Sequence, residues 1–328
     1  MKAILCKEWG GPEKLVVEDL PSPPMRDGAV RIQVHAAGIN FLDTLLIAGQ
    51  YQVKPPLPFI PGAEAAGVVT EVGAGVSGFK PGDRVMAMSE LGCYAEELVA
   101  NPDRVFPISE KMDFASAAGF PIVYGTSHVA LGYRARLKPG EWLLVLGAAG
   151  GVGLTAVEIG KAMGARVIAA ARGPEKLAVT KQHGADELID YSREDLRERV
   201  KAITGGRGAN VIYDPVGGDA FDASLRAVAW EGRVIIIGFT SGRIPQIPAN
   251  IALVKNIDVI GFYWGSYQAH KPEVPRESFK QLFRWFDEGK LKPHVSARLD
   301  LKDAAQGLEM LKERKSTGKV VLMMESSS

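Results

Sequence analysis

Hydrophobic patterning divides the chain into two textures. Up to Met112 the apolar runs are short and broken by Gly10-Gly11-Pro12, Pro21-Ser22-Pro23-Pro24, Pro55-Pro56-Leu57-Pro58 and Lys80-Pro81-Gly82-Asp83. Between these breaks lie β-type runs at 30–34, 67–72, 84–88, 94–99 and 104–107. Short strands punctuated by Gly and Pro predict an antiparallel, barrel-like β module. Residues 113–118 then read as a capped helical turn and 125–134 as a longer helix.

After Lys138-Pro139-Gly140-Glu141 continuous apolar strands alternate with amphipathic segments of helical length. The strands are expected at 142–146, 166–170, 187–189, 210–213, 233–237 and 258–261, and the helices at 152–163, 174–183, 196–204 and 221–228. Strands covered on both faces read as unbroken apolar runs, of which Val234-Ile235-Ile236-Ile237 is the clearest. Strands joined by crossover helices predict an α/β chain with a doubly wound parallel sheet. The tail adds helix, strand, helix and strand at 276–288, 295–299, 301–313 and 319–323. It is expected to return to the first module, giving one domain from 1–122 with 268–328 and another from 123–267. The polar end, 325–328, is expected to fray.

Composition narrows the function classes. A chain of 328 residues favours two domains. Lys plus Arg is 39 against 38 for Asp plus Glu, so no global field invites nucleic acid or anionic lipid. No apolar run approaches the ~18 residues of a membrane span, and the first eight residues carry charge and no leader-like signature. Cys6 and Cys93 are the only cysteines, which excludes a disulfide framework and points to a reducing cytoplasm.

Four features carry candidate chemistry. Gly147-Ala148-Ala149-Gly150-Gly151-Val152-Gly153 follows a predicted strand and opens a predicted helix. Glycine there permits the tight turn and lets backbone amides approach a dinucleotide pyrophosphate at the helix N-terminus. Ala169-Ala170-Ala171-Arg172-Gly173-Pro174-Glu175-Lys176 has no acid at the second strand's tip, where NAD-type recognition places one. Arg172 and Lys176 suit a 2′-phosphate instead, hence NADPH; without a ligand the same residues are a solvated basic helix start. The histidines (His35, His128, His183, His270, His294) are scattered and no Cys-x-x-Cys exists, so no metal site is expected. Finally, Asn40-Phe41-Leu42-Asp43-Thr44 and Gly49-Gln50-Tyr51 read, on composition alone, as a capped helical turn with a packing tyrosine.

Pro61-Gly62-Ala63-Glu64-Ala65-Ala66-Gly67 followed by Gly78-Phe79-Lys80-Pro81-Gly82-Asp83-Arg84-Val85 resembles the medium-chain dehydrogenase/reductase superfamily. With the glycine turn, Asp214-Pro215-Val216-Gly217-Gly218 and Ser316-Thr317-Gly318-Lys319-Val320-Val321, the chain resembles its NADPH:quinone oxidoreductase, or ζ-crystallin-like, branch over essentially its whole length. The resemblance implies a GroES-like, partly closed β-barrel catalytic domain and a Rossmann domain that binds NADPH. It also implies a homodimer or homotetramer associating through the Rossmann sheets. Zinc alcohol dehydrogenases of the superfamily carry Gly-His-Glu where this chain has Gly62-Ala63-Glu64, and a cysteine near Ile39-Asn40. Both ligands are missing, so the implied branch is zinc-independent.

Matched residue by residue, Asn40, Phe41, Asp43 and Thr44 meet the nicotinamide end, and Tyr124 and Thr126 lie beside its ribose. Gly150, Gly151, Val152 and Gly153 hold the pyrophosphate; Gly173, Lys176 and Tyr191 surround the 2′-phosphate, beside the Arg172 read above. Gly238, Phe239, Tyr263 and Trp264 lie on the ring side, and Arg314 closes the site from the C-terminal helix. The implied reaction is hydride transfer from NADPH to a quinone or similar electron-poor conjugated carbonyl, with Asn40 and Tyr51 as catalytic candidates. Two alternatives stay open. One is an enoyl-thioester or enone reductase of the acrylyl-CoA type with Tyr51 as proton donor. The other is a non-catalytic NADPH-binding protein of the crystallin kind.

Overall fold

The computed structural model describes residues 1–324; the polar end expected to fray lies outside them. Two compact units emerge, one from Met1–Ile122 with the chain from Pro293 onward, the other from Val123–Lys292. The first unit is therefore discontinuous. The chain leaves the second unit after Lys292, however, and the boundary expected after 267 moves there. The cause is helix Glu273–Asp287, which buries Phe279 edge-on to Trp264, 6.4 Å between ring centres, and bonds Ser278 Oγ to the His128 ring at 2.8 Å.

The second unit holds a six-stranded parallel sheet. In chain order its strands are Trp142–Leu146, Arg166–Ala171, Glu187–Asp190, Ala209–Asp214, Val228–Ile236 and Asp258–Gly261. They lie side by side as third, second, first, fourth, fifth and sixth. Strand order reverses between the first and fourth, so a crevice opens at their carboxyl ends, where ligands of such sheets bind. Leu143, Leu144, Val145 and Leu146 are all fully buried, as expected for a strand covered on both faces. The fifth strand begins at Val228 rather than 233, because Ala209 pairs with Val228 ahead of a break in register. Helix Ala249–Lys255 was not anticipated: Leu253 and Val254 stand exposed, so its apolar residues trace no buried stripe.

In the first unit a seven-stranded sheet runs Val295–Asp300, Lys319–Met323, Val30–Ile39, Glu64–Val72, Arg84–Met88 and Val105–Pro107, with Glu97–Ala100 also pairing Val30–Ile39. The long strand changes partners along its length. Val30–Gln33 pair with Glu97–Ala100, whereas Ala36–Ile39 pair with Val320–Met323. Breaks in register at Arg31/Ile32 and Val34/Ala36 bend it, which curls one sheet toward a barrel. Among the described strands of this sheet, Val295–Asp300 and Lys319–Met323 alone run parallel, and helix Ala304–Lys312 makes the crossover that parallel pairing requires. Strands Lys2–Cys6 and Leu15–Asp19, absent from the sequence reading, form a separate antiparallel pair; Ile4 and Cys6 also bond the backbone of Tyr94 and Phe59. Among the described residues no helix is long and apolar enough to cross a membrane.

Candidate functional site

The glycine turn sits where the sequence places it, between strand Trp142–Leu146 and helix Gly151–Ala162. Its glycines answer to different demands. A Cβ on Gly153 would stand 2.2 Å from the Gly147 carbonyl oxygen and 2.9 Å from Ala148 Cα, so the fold itself requires glycine there. Gly150 has an ordinary extended φ of −77°, is exposed, and would place a Cβ no closer than 3.4 Å to that oxygen. Packing therefore leaves Gly150 free to be another residue. Gly150 also caps the helix without any side-chain bond to its first turn. An open cradle at a helix N-terminus fits a pyrophosphate.

A buried hydroxyl cluster supports the turn from behind. Ser127 Oγ donates to the Val152 carbonyl at 2.9 Å and meets Thr155 Oγ1 at 2.9 Å and Tyr213 OH at 2.8 Å. Helix Pro121–His128 is thereby fixed to the first turn of the glycine helix. Thr126 is buried on it. Tyr124 is buried too, and its hydroxyl donates to Glu158. The Glu158 carboxylate also takes the His183 ring at 2.6 Å and the Lys292 N–H at 3.1 Å.

At the tip of the second strand, Arg172 is exposed with its guanidinium 5.5 Å from the Tyr191 ring centre. Gly173, at φ +85°, caps the following helix Pro174–Gln182, whose first turn carries Lys176. Arg172 and Tyr191 thus meet from the loops that follow the second and third parallel strands. On the ring side, a Cβ on Gly125 would meet Trp264 Cζ2 at 2.6 Å, so the indole lies on the segment holding Tyr124 and Thr126. Gly238 N–H reaches the Asp214 carbonyl, and Phe239 packs over Gly217. Tyr263 and Phe239 are partly exposed.

In the first unit Asn40 and Asp43 belong to one buried polar network. Asn40 caps helix Phe41–Ile47 with its N–H on Asp43 Oδ2 at 2.8 Å. Its amide is consumed: Nδ2 donates to Glu64 Oε1 at 2.8 Å, and Oδ1 accepts from Lys319 Nζ at 2.7 Å. Lys319 further donates to the Ile39 carbonyl at 2.6 Å and to Glu64 at 2.8 Å, while Glu64 Oε2 accepts the Ile122 N–H at 2.8 Å. Tyr94 OH donates to Asp43 Oδ2 at 2.7 Å. Burial, only partly offset by these donors, pushes Asp43 up to about 6. The fold therefore holds the Asp43 proton more tightly than the unfolded chain does, and this contribution is lost as pH rises through about 6. Glu64, Tyr94 and Lys319 escaped the sequence reading as functional residues, although a lone charge inside Ala63-Glu64-Ala65-Ala66 and Gly318-Lys319-Val320-Val321 was the available signal.

Thr44 Oγ1 donates to the Phe41 carbonyl at 2.6 Å. Tyr51 packs, partly buried, on the first unit's core. Arg314 stands on the turn ending helix Ala304–Lys312, in a left-handed conformation at φ +56° where glycine is usual. Among the described residues no three His, Cys, Asp or Glu side chains are grouped to hold a metal ion.

Comparisons with known proteins accord with this geometry. Residues 26–110 match the alcohol dehydrogenase GroES-like domain and residues 151–288 the family described as zinc-binding dehydrogenase. A quinone oxidoreductase-like protein 2 homolog of Nematostella vectensis is 45% identical over 98% of this chain and 88% of its own length. A quinone oxidoreductase of Sus scrofa is 35% identical over 99% of this chain and 98% of its own. The Escherichia coli quinone oxidoreductase crystallised with NADPH superposes with a TM-score of 0.91 at 33% identity, covering 98% of this chain and 100% of that one.

Proposed function

Because the chain belongs to the medium-chain dehydrogenase/reductase superfamily, in its quinone oxidoreductase-like branch, and is an oxidoreductase, we propose that it reduces quinones with NADPH and without zinc. The observation that carries this reading is the exposed Gly150, a glycine that packing does not demand, at the mouth of a helix beside a cationic strand tip. The similarity to relatives named quinone oxidoreductase supports the acceptor class. Reduced nicotinamide, when bound, supplies the hydride. The chain's part is to hold and orient: backbone amides of Gly150–Gly153 for the pyrophosphate, and Arg172, Lys176 and Tyr191 for the 2′-phosphate. Asn40 has both amide ends engaged, which makes it a fixed wall and not a mobile donor. A quinone tolerates that, since its reduced oxygens take protons from water.

Exposed Trp230, Ile244, Leu253 and Val254 in the second unit, with edge strand Asp258–Gly261 paired on one side only, support a homodimer joined through that sheet edge. Two buried, unpaired cysteines suit the cytoplasm. NADPH consumption with 9,10-phenanthrenequinone, compared with crotonyl-CoA after exhaustive chelation, tests the proposal. The quinone should be preferred and chelation should change nothing; a crotonyl-CoA preference or loss on chelation refutes it.

Tyr51→Phe separates the chemistries further. With a quinone the phenol at most orients a carbonyl, and its loss should cost about 0.5–1.5 kcal/mol of kcat/KM. A required proton donor would cost about 10²–10⁴ in kcat. The mild outcome is expected, and a loss beyond a hundredfold with NADPH affinity intact would favour the enoyl-thioester reading.

A further inference from the structure

One carboxylate joins the loop after the second parallel strand to the loop after the third. Asp190 ends strand Glu187–Asp190 in register with Ala171 and is 8% exposed. Its Oδ1 accepts the Ser192 N–H at 3.1 Å and the Ser192 hydroxyl at 2.5 Å, and the carboxylate also accepts the backbone N–H of Gly173. Arg193 stands 3.9 Å from Oδ2. The Ser192 hydroxyl, foremost among these donors, keeps Asp190 below the usual carboxylate range, hence anionic at neutral pH. Gly173 has open space where a Cβ would stand, and its φ of +85° is the conformation that favours glycine.

An acid at a strand tip ordinarily bonds a ribose 2′-hydroxyl and repels a 2′-phosphate. Here the acid sits one strand over and accepts from donors of both loops. We infer that Asp190 is a positioning residue for the 2′-phosphate: it clamps the two loops so that Arg172, Lys176 and Tyr191 converge on one anion, and thereby sets preference for NADPH over NADH. The inference rests on the NADPH reading above. It separates two roles of one side chain, since Asp190→Asn keeps an acceptor oxygen for the loop donors while Asp190→Ala removes it.

Calorimetric titration of the full chain with 2′,5′-ADP and with 5′-AMP reads the effect without turnover. Wild type should bind 2′,5′-ADP about tenfold or more tighter than 5′-AMP. Asp190→Ala should lose about tenfold on 2′,5′-ADP and nothing on 5′-AMP, a split that general loosening of the fold would not produce. Asp190→Asn should stay within about threefold of wild type. If folded Asp190→Ala binds 2′,5′-ADP as well as wild type, or tighter, the acid is at most a repelling charge and the inference falls alone. Should Asp190→Ala not fold, Ser192→Ala carries the same test: selective loss on 2′,5′-ADP supports the clamp and unchanged discrimination overturns it. A wild type that does not distinguish the two nucleotides overturns the NADPH reading and the inference with it.

Discussion

Replacing Lys319 with alanine is expected to destabilise the protein by about 3–5 kcal/mol, the cost of breaking a buried ion pair from one side. Glu64 is fully buried, and without Lys319 it keeps only the Asn40 amide and the Ile122 N–H as donors. Those donors are neutral, and no counter-charge replaces the ammonium. For units of this size the loss corresponds to a fall in Tm on the order of 10 °C. Glu64→Gln should also be costly, because it leaves the ammonium among neutral acceptors. The double variant Glu64→Gln/Lys319→Ala should lose less than the sum of the single changes, since the two charges belong to one interaction. Thermal melts of the four proteins check this. A Lys319→Ala melt within about 1 kcal/mol of wild type would mean the pair is worth no more than an exposed one.

The second large effect concerns the glycine turn. Gly153→Ala puts a methyl 2.2 Å from the Gly147 carbonyl oxygen, so the backbone must open. Such overpacking should cost about 1–3 kcal/mol of stability. It should also weaken NADPH binding by about a hundredfold, because the amides of the first helical turn lose their aim. Gly150→Ala makes the contrast. Its methyl meets nothing closer than 3.4 Å, so the melt should stay at wild type while NADPH affinity falls about tenfold. Equilibrium binding beside a melt for each variant measures both quantities. Wild-type affinity in Gly150→Ala would show that no ligand approaches that backbone.

The parallel sheet was legible because burial on both faces writes unbroken apolar runs: the strand Trp142–Leu146 falls where patterning predicts it. Cap chemistry was equally readable at Asp113, which accepts the Ser116 N–H. Strand Lys2–Cys6 was not, because its partners come from Leu15–Asp19 and from the backbone of Tyr94 and Phe59, contacts without local periodicity. The site was legible as segments more than as interactions. Asn40 and Asp43 were singled out, yet their partners Glu64, Tyr94 and Lys319 stand 24, 51 and 279 residues away in the bonds that join them. The clamp at Asp190 was hidden for the same reason, since Gly173 approaches it only when two strands pair.

A chain that holds NADPH and delivers its hydride to a quinone completes that transfer in one turnover. Rapid mixing of the protein loaded with one equivalent of NADPH against 9,10-phenanthrenequinone, in the presence of chelator, tests it most directly. Loss of the reduced-nicotinamide absorbance in a single turnover, with one equivalent of hydroquinone formed, is expected. Bound NADPH that stays reduced in the presence of the quinone, or that is consumed only when crotonyl-CoA is supplied, would contradict it.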